Sequence, residues 1–410
     1  MTAAARASLR RFWALDPDVV FLNHGSFGAT PIAVLAEQRR WRDRMEADPV
    51  RFFARDLDAV LADVRRVLGS FVGADPDELA LVPNATAGVN TVVRSLHFDP
   101  GDEILTADHE YNASLNALRF AAERDGARVV VVPLGYTVAS PDDVVSRVVD
   151  AVTSRTRLAM LSHVTSPTAI VLPVEQLVPL LRERGIETLV DGAHAPGMLP
   201  LDLDGLGAAY YTGNCHKWVC APKGAAFLHV RQDLRTAIRP LSISHGANDP
   251  DPSRPRFRKE FDWTGTDDPT AFLAIPAAIE HVGGMLPGGW PAVRAACRDG
   301  AIAGREAVRS ALVGAGLDPG PLAAPDVMTG SMATVPLPGR GSVPHDARSP
   351  LDADPIGAAL WDRWRIEVPV LPIPGGTGRL VRLSSAPYTV AAELALLGSA
   401  LADLCAPEPV

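Results

Sequence analysis

Cysteine is scarce in this chain. Four occur in 410 residues, Cys215, Cys220, Cys297 and Cys405, and their spacing frames no disulfide set. A reducing cytoplasm is therefore the expected compartment. Long apolar runs are missing as well: none approaches the roughly 18 residues of a membrane span. The first fifteen residues hold an arginine pair but no apolar h-region, so no signal peptide is expected. Positive charge is short, with 39 Lys and Arg against 48 Asp and Glu, for a formal net charge of −9. The basic residues are dispersed, which argues against nucleic acid or an anionic membrane as the main partner. No internal repeat is visible.

What is present is core material. Hydrophobic residues make up 47% of the chain, and 34 Gly and 36 Pro mark many loops. The length suits two domains, or one large and one small. From about Glu78 to Val230, short β-branched runs alternate with helical segments. The strand candidates are Leu79–Val82, Ile104–Thr106, Val129–Val132, Leu158–Leu161, Thr188–Val190, Ala208–Tyr211 and Ala225–Val230. The amphipathic segments between them include Ala113–Arg124 and Val174–Glu183. Apolar strands with helical crossovers predict an α/β fold with a mostly parallel, helix-covered sheet. After Pro240 the texture changes. Gly246–Lys259 and Pro336–Pro355 are polar, Pro- or Gly-rich and read as long loops. Leu380–Leu383 reads as a late strand and Ala391–Leu404 as a final helix.

Within that frame, Lys217 follows Tyr210–His216, and Asp191 lies 26 positions earlier in Leu189-Val190-Asp191-Gly192-Ala193-His194. An amine that forms a Schiff base, with a buried carboxylate that keeps a pyridine nitrogen protonated, is what pyridoxal 5'-phosphate (PLP) chemistry needs. Asn84-Ala85-Thr86 falls between a strand and a helix. Free helix N-terminal amides and a hydroxyl there suit a phosphate, while Asn84 or Thr86 alone also reads as a helix cap. Thr212 and His216 are further candidates for the phosphate. In Asp108–Asn112, a ring at Tyr111, or second at His109, is placed to stack on the cofactor. Thr165 or Ser166, and His194, are candidates for its phenolate oxygen, with His194 alternatively on the substrate carboxylate. Arg382, on the late strand, offers a fork for a carboxylate.

Together these residues resemble the class V aminotransferase family, of the fold type I PLP-dependent enzymes, in its isopenicillin N epimerase-like branch. The stretches that carry the resemblance are Leu22–Pro31, Pro49–Arg55, Asn84–Thr86, Asp191–His194, His216–Trp218 and Trp263–Asp267. It runs from about residue 20 to 390. It implies Lys217 as the cofactor-bearing lysine, Asp191 as its ring-nitrogen partner and Arg382 as the α-carboxylate site. It also implies a substrate-side position for Asn23, His24 and Gly25. Thr266 with Gly265 would reach the phosphate of a second subunit, making the active unit a homodimer. The implied layout is an N-terminal arm over 1–20, a large PLP domain over 21–270 and a small domain over 271–410. Two positions depart from the pattern: Cys215 replaces an apolar residue, and Tyr388-Thr389 stands where Tyr-Asn is common. No metal is implied.

PLP chemistry at an amino-acid α-carbon covers elimination, epimerisation, decarboxylation and transamination. A persulfide-forming desulfurase needs a cysteine on a loop before the substrate arginine. None lies between Cys297 and Cys405, and Cys215 and Cys220 read as small buried hydrophobes. Among what remains, the resemblance implies a C–S lyase or related α-carbon enzyme acting on an S-substituted cysteine in secondary metabolism. The alternative is an isopenicillin N-type epimerase. A PLP fold kept only for binding is disfavoured, because lysine, aspartate, phosphate loop and arginine are all present.

Overall fold

The computed structural model describes residues 9–338 and 354–406. Most of the Pro336–Pro355 stretch and the first eight residues of the N-terminal arm lie outside them. The strands are β1 (Val20–Phe21), β2 (Leu79–Val82), β3 (Glu103–Ala107), β4 (Arg128–Val132), β5 (Thr156–Ser162), β6 (Glu187–Asp191), β7 (Tyr210–Asn214), β8 (Ala226–Val230), β9 (Met332–Leu337), β10 (Ile366–Glu367), β11 (Val370–Pro372) and β12 (Arg379–Ser384). The helices used below are α1 (Ile32–Ala47), α2 (Leu57–Val72), α3 (Ala85–Ser95), α4 (Asn112–Asp125), α5 (Val174–Arg182), α6 (Leu203–Leu206), α7 (Arg256–Asp262), α8 (Thr270–Leu273), α9 (Ile275–Gly283), α10 (Gly289–Gly314) and α11 (Ala391–Cys405).

Seven strands form the main sheet in the order β2-β8-β7-β6-β5-β3-β4. The run from β7 to β4 is parallel, and β8 pairs antiparallel with both β2 and β7. The apolar runs are what such a sheet requires: β2, β3, β7 and β8 are buried at every position, because helices cover both faces. Strand β7 extends to Asn214 rather than stopping at Tyr211. The polar residues Thr212, Gly213 and Asn214 complete its pairing with β8.

Register brings the strand ends level. Ser162 pairs with Asp191, and Asp191 with Thr212. The carboxyl ends of three adjacent parallel strands therefore share one edge, where ligand sites form in open α/β sheets.

A second sheet, β11-β12-β9, is antiparallel. It packs with α10 and α11 around Val308, Val335, Leu383 and Leu397, a core separate from that of the main sheet. Ala271, Leu273, Ile275 and Ala278, on α8 and α9, are buried in the main sheet's core. Leu9 and Trp13 pack with Tyr388 and Cys297.

The expected loop Gly246–Lys259 is partly helical. Its end enters α7, where Phe257 and Phe261 are buried one turn apart. Glu260 binds Arg239 and Arg256. Proline and charge suggested a loop; an i, i+4 aromatic pair and a buried ion network overrode them.

Candidate active site

Strand β6 ends on Asp191, which is 4% exposed. One carboxylate oxygen accepts from the Ser114 hydroxyl at 2.8 Å, the other from the Ala193 amide at 3.0 Å. Burial pushes its pKa up, against the pull of those donors and of Lys217. Ser114 lies in the first turn of α4 and ties that helix to the strand end. No short motif marks it in the sequence.

Lys217 stands in the turn after β7. Its Nζ lies 3.0 Å from His194 Nε2. Burial, aided by the Arg382 charge and opposed by Asp191, lowers the amine to about 7. A lysine so placed is largely neutral near pH 8, as a nucleophile or proton acceptor must be. Burial holds His194 neutral, reinforced by Lys217 and Arg382.

Arg382, on β12, is 3% exposed. It donates to the Ser166 carbonyl, to Ser166 Oγ at 3.2 Å and to Ser26 Oγ at 2.8 Å. Among the described residues no carboxylate pairs with it. Burial lowers its pKa to about 10. A buried guanidinium held only by neutral groups is a strong site for an incoming carboxylate.

The phosphate candidates divide. Asn84 caps α3, its Oδ1 accepting from the Ala87 amide at 2.8 Å. The Ala85 amide donates to Asn214 Oδ1 at 2.8 Å, so its expected place at the phosphate is taken by a side chain the sequence reading passed over. No hydrogen bond among the described residues uses the Thr86 amide or hydroxyl. His216 Nδ1 donates to the Ala225 carbonyl at 3.0 Å, which turns Nε2 outward, and burial lowers its pKa to about 4. Thr212 is level with Asp191, but its side chain is engaged elsewhere. Its hydroxyl donates to the Phe227 carbonyl at 2.9 Å, pressed beneath Gly88 of α3. Gly265 and Thr266 form an exposed bend, and the φ of Gly265 is +129°.

Other assignments change. Thr165 is fully buried, its hydroxyl tied to Thr168 at 2.7 Å and to the Ile170 amide at 2.8 Å. It therefore closes its own loop, while neighbouring Ser166 meets Arg382. His109 spans Gly135 and Thr168 inside the protein and presents no ring to the site. Tyr111 is 46% exposed and close enough to Arg382 to affect its charge. His24 bonds Tyr388 at 2.7 Å and the Lys217 carbonyl at 3.0 Å. Both ring nitrogens are used, so His24 anchors the lysine turn rather than substrate. Gly25 packs against Met332 and Ser384. Asn23 donates to Glu367 at 3.1 Å, and its Oδ1 is buried without a partner.

Glu110 is the residue that sequence reasoning missed most plainly. It is buried, accepting from Ser162 Oγ at 2.6 Å and from the Tyr111 amide at 2.9 Å. Burial, with the nearby Asp191 charge, raises it to about 8. At neutral pH it is a carboxylic acid beside a second carboxyl, an arrangement typical of working sites. Its neighbours in sequence drew attention as rings, and acidity alone gave no sign of burial.

These residues fit PLP. His194 Nδ1 and Arg382 Nε are buried polar atoms with no partner, and they flank an amine of lowered pKa near a carboxylate at a strand end. Such orphaned groups are costly unless a ligand meets them.

Comparison with known proteins agrees. Residues 28–285 match the family model of the class V aminotransferases. The chain is similar to isopenicillin N epimerase of Amycolatopsis lactamdurans, 37% identical over 98% of this chain and 100% of that protein. It is similar to a probable chloroplastic L-cysteine desulfhydrase of Arabidopsis thaliana, 30% identical over 89% of this chain and 77% of that protein. Among solved structures, the cystine C-S lyase C-DES with cysteine persulfide superposes with a TM-score of 0.77 over 94% of this chain and 98% of that one. At 21% identity that likeness shows the fold alone.

Proposed function

The chain belongs to the class V aminotransferase family, and from that premise we propose that it is a PLP-dependent C–S lyase acting by β-elimination on an S-substituted cysteine. One observation carries the α-carbon chemistry on which this reading rests: Lys217, at about 7, is poised as a proton shuttle against the neutral His194. Arg382 binds the substrate carboxylate through its forked guanidinium and so fixes which α-carbon bond is presented. PLP supplies the electron sink that makes the α-proton acidic. Asp191, held by Ser114 and Ala193, keeps the ring nitrogen charged. Lys217 takes the α-proton and can return it to the departing sulfur on the same face. His194 holds the amine in line. Thr86 and His216 would hold the phosphate, with Gly265 and Thr266 of a second subunit completing its shell. The cytoplasm is the proposed compartment; among the described residues no helix is long and apolar enough to cross a membrane.

A second reading is an isopenicillin N-type epimerase, favoured by the full-length similarity to the Amycolatopsis epimerase. Epimerisation needs a proton delivered to the opposite face, and Tyr111 is the candidate donor. Product analysis with S-substituted cysteines and isopenicillin N separates them. Pyruvate, ammonia and a thiol support the lyase. Exchange of the α-hydrogen with an inverted, otherwise intact substrate replaces it with the epimerase. Lys217→Ala abolishes both.

A further inference from the structure

A second cluster of ligating groups lies away from the lysine site. His229, on β8, is 2% exposed. Its Nε2 lies 3.0 Å from Glu78 Oε2 and 3.4 Å from Asp204 Oδ1. One ligand atom from each of the three residues lies within 4.8 Å of the other two. Yet His229 Nε2 makes no hydrogen bond, and neither does Nδ1. At such short separations a hydrogen bond fails only on direction. The two carboxylate oxygens therefore flank the axis of the nitrogen instead of sitting on it. That is the arrangement around a cation placed ahead of the ring. With metal–ligand bonds of about 2.0–2.2 Å, neighbouring ligand atoms of a tetrahedral shell stand roughly 3.3–3.6 Å apart, so the Asp204 oxygen is already at that spacing from Nε2 and the Glu78 oxygen slightly inside it.

We propose that Glu78, Asp204 and His229 form a structural binding site for a divalent transition-metal ion, zinc foremost. Two carboxylates balance its charge, a neutral imidazole supplies the nitrogen, and water completes the shell through the exposed side at Asp204. The remaining Asp204 oxygen accepts from the Asp75 amide at 3.0 Å, which orients the free one. No hydrogen bond on Nδ1 fixes the tautomer, so the ring is free to carry its proton there and present the Nε2 lone pair. Leu79 pairs with His229 at the start of β2, and Val82, at its other end, leads into the phosphate loop. The cluster thus lies on the far edge of the sheet from Lys217. A metal there ties the start of the outermost strand to β8, its antiparallel partner, and to α6, which otherwise meets that segment through hydrogen bonds of Asp204 to Gly73 and Asp75.

The test uses the holoenzyme, stripped by a chelator and titrated with Zn2+ by calorimetry, with Mn2+ for comparison and elemental analysis for stoichiometry. Expected is one zinc per chain, bound at micromolar concentration. Asp204→Asn, a half-exposed change that leaves the fold intact, and His229→Gln weaken binding at least about tenfold, as loss of a ligand should. Cys220→Ser leaves it unchanged, and X-ray absorption finds only nitrogen and oxygen around the metal. Absence of saturable binding, equal affinity in Asp204→Asn, or sulfur in the shell overturns the site.

Discussion

Individual residues in this site are tuned by burial, and two tunings have consequences that titration reveals. Glu110 ordinarily titrates at 4.5 and is raised to about 8 in the folded chain. Its contribution to stability is complete below 4.5 and is lost as pH rises through about 8, because the unfolded chain releases the proton first. Lys217 runs the other way, its amine lowered from 10.5 to about 7, so stability gained from it grows only above 7. Between pH 5 and 7 the Glu110 effect is therefore seen without that opposition. Glu110→Gln keeps an oxygen for Ser162 and Tyr111 but cannot titrate. His194 and His216, lowered by burial, push stability the other way across that window but do so equally in both proteins. In thermal melts of the cofactor-free protein the Tm of wild type should therefore fall relative to that of Glu110→Gln as pH rises; Asp191 titrates in both. An unchanged slope would remove Glu110 from the titrating pair. Arg382 is the other residue with a separable role. Arg382→Leu removes a charge-assisted fork worth about 1.5–3 kcal/mol, or roughly 10- to 150-fold in kcat/KM. Retained cofactor absorbance and a damaged KM are expected; intact kinetics on every amino acid tried would place the carboxylate site elsewhere.

At the scale of elements, the N-terminal segment holds the lysine turn by close approach. A Cβ on Gly28 would sit 2.6 Å from the His216 and Lys217 carbonyl oxygens and 2.8 Å from the Lys217 Cα. Backbone cannot step aside as a flexible side chain can, so Gly28→Ala should displace the turn. A destabilisation of about 1–3 kcal/mol from overpacking and a weakened hold on PLP are expected, read by thermal melts and by absorbance after gel filtration. Gly314, at the end of α10, faces open space with an ordinary φ. Gly314→Ala should instead raise stability by about 0.5–1 kcal/mol and leave the cofactor untouched. Equal effects from the two changes would mean that chain entropy, not contact with the lysine turn, governs Gly28. The helices and strands that carry the site were largely legible as sequence, since Ala113–Arg124 and Val174–Glu183 anticipate α4 and α5 within a residue or so at each end. Helix α7 was not, because its stability comes from Phe257 and Phe261 meeting distant partners rather than from local pattern.

For the whole molecule, the exposed bend at Gly265 and Thr266 has its proposed role only in an assembly. A homodimer is expected, with Thr266→Ala loosening PLP in the dimer and dilution to monomers doing the same by linkage. Sedimentation combined with cofactor absorbance checks this; a monomer that keeps PLP fully would end the shared-site reading. Some properties belong to the sequence alone. The roles proposed for Lys217, Asp191 and Arg382 rest on residue type, with Asp191 at the end of an apolar strand and Arg382 within one. The α/β fold was legible because strands buried on both faces must be apolar throughout. Only the tertiary structure decided which nearby polar groups face the site. Thr212 and Thr165 turn inward, His24 and His109 become braces, and Ser114, Asn214 and Glu110 arrive from positions that no motif marks. The reason is physical. Side-chain direction and the burial of a charge are set by contacts between segments far apart in sequence, such as Ser114 with Asp191 across 77 positions, and such contacts exist only once the sheet has closed.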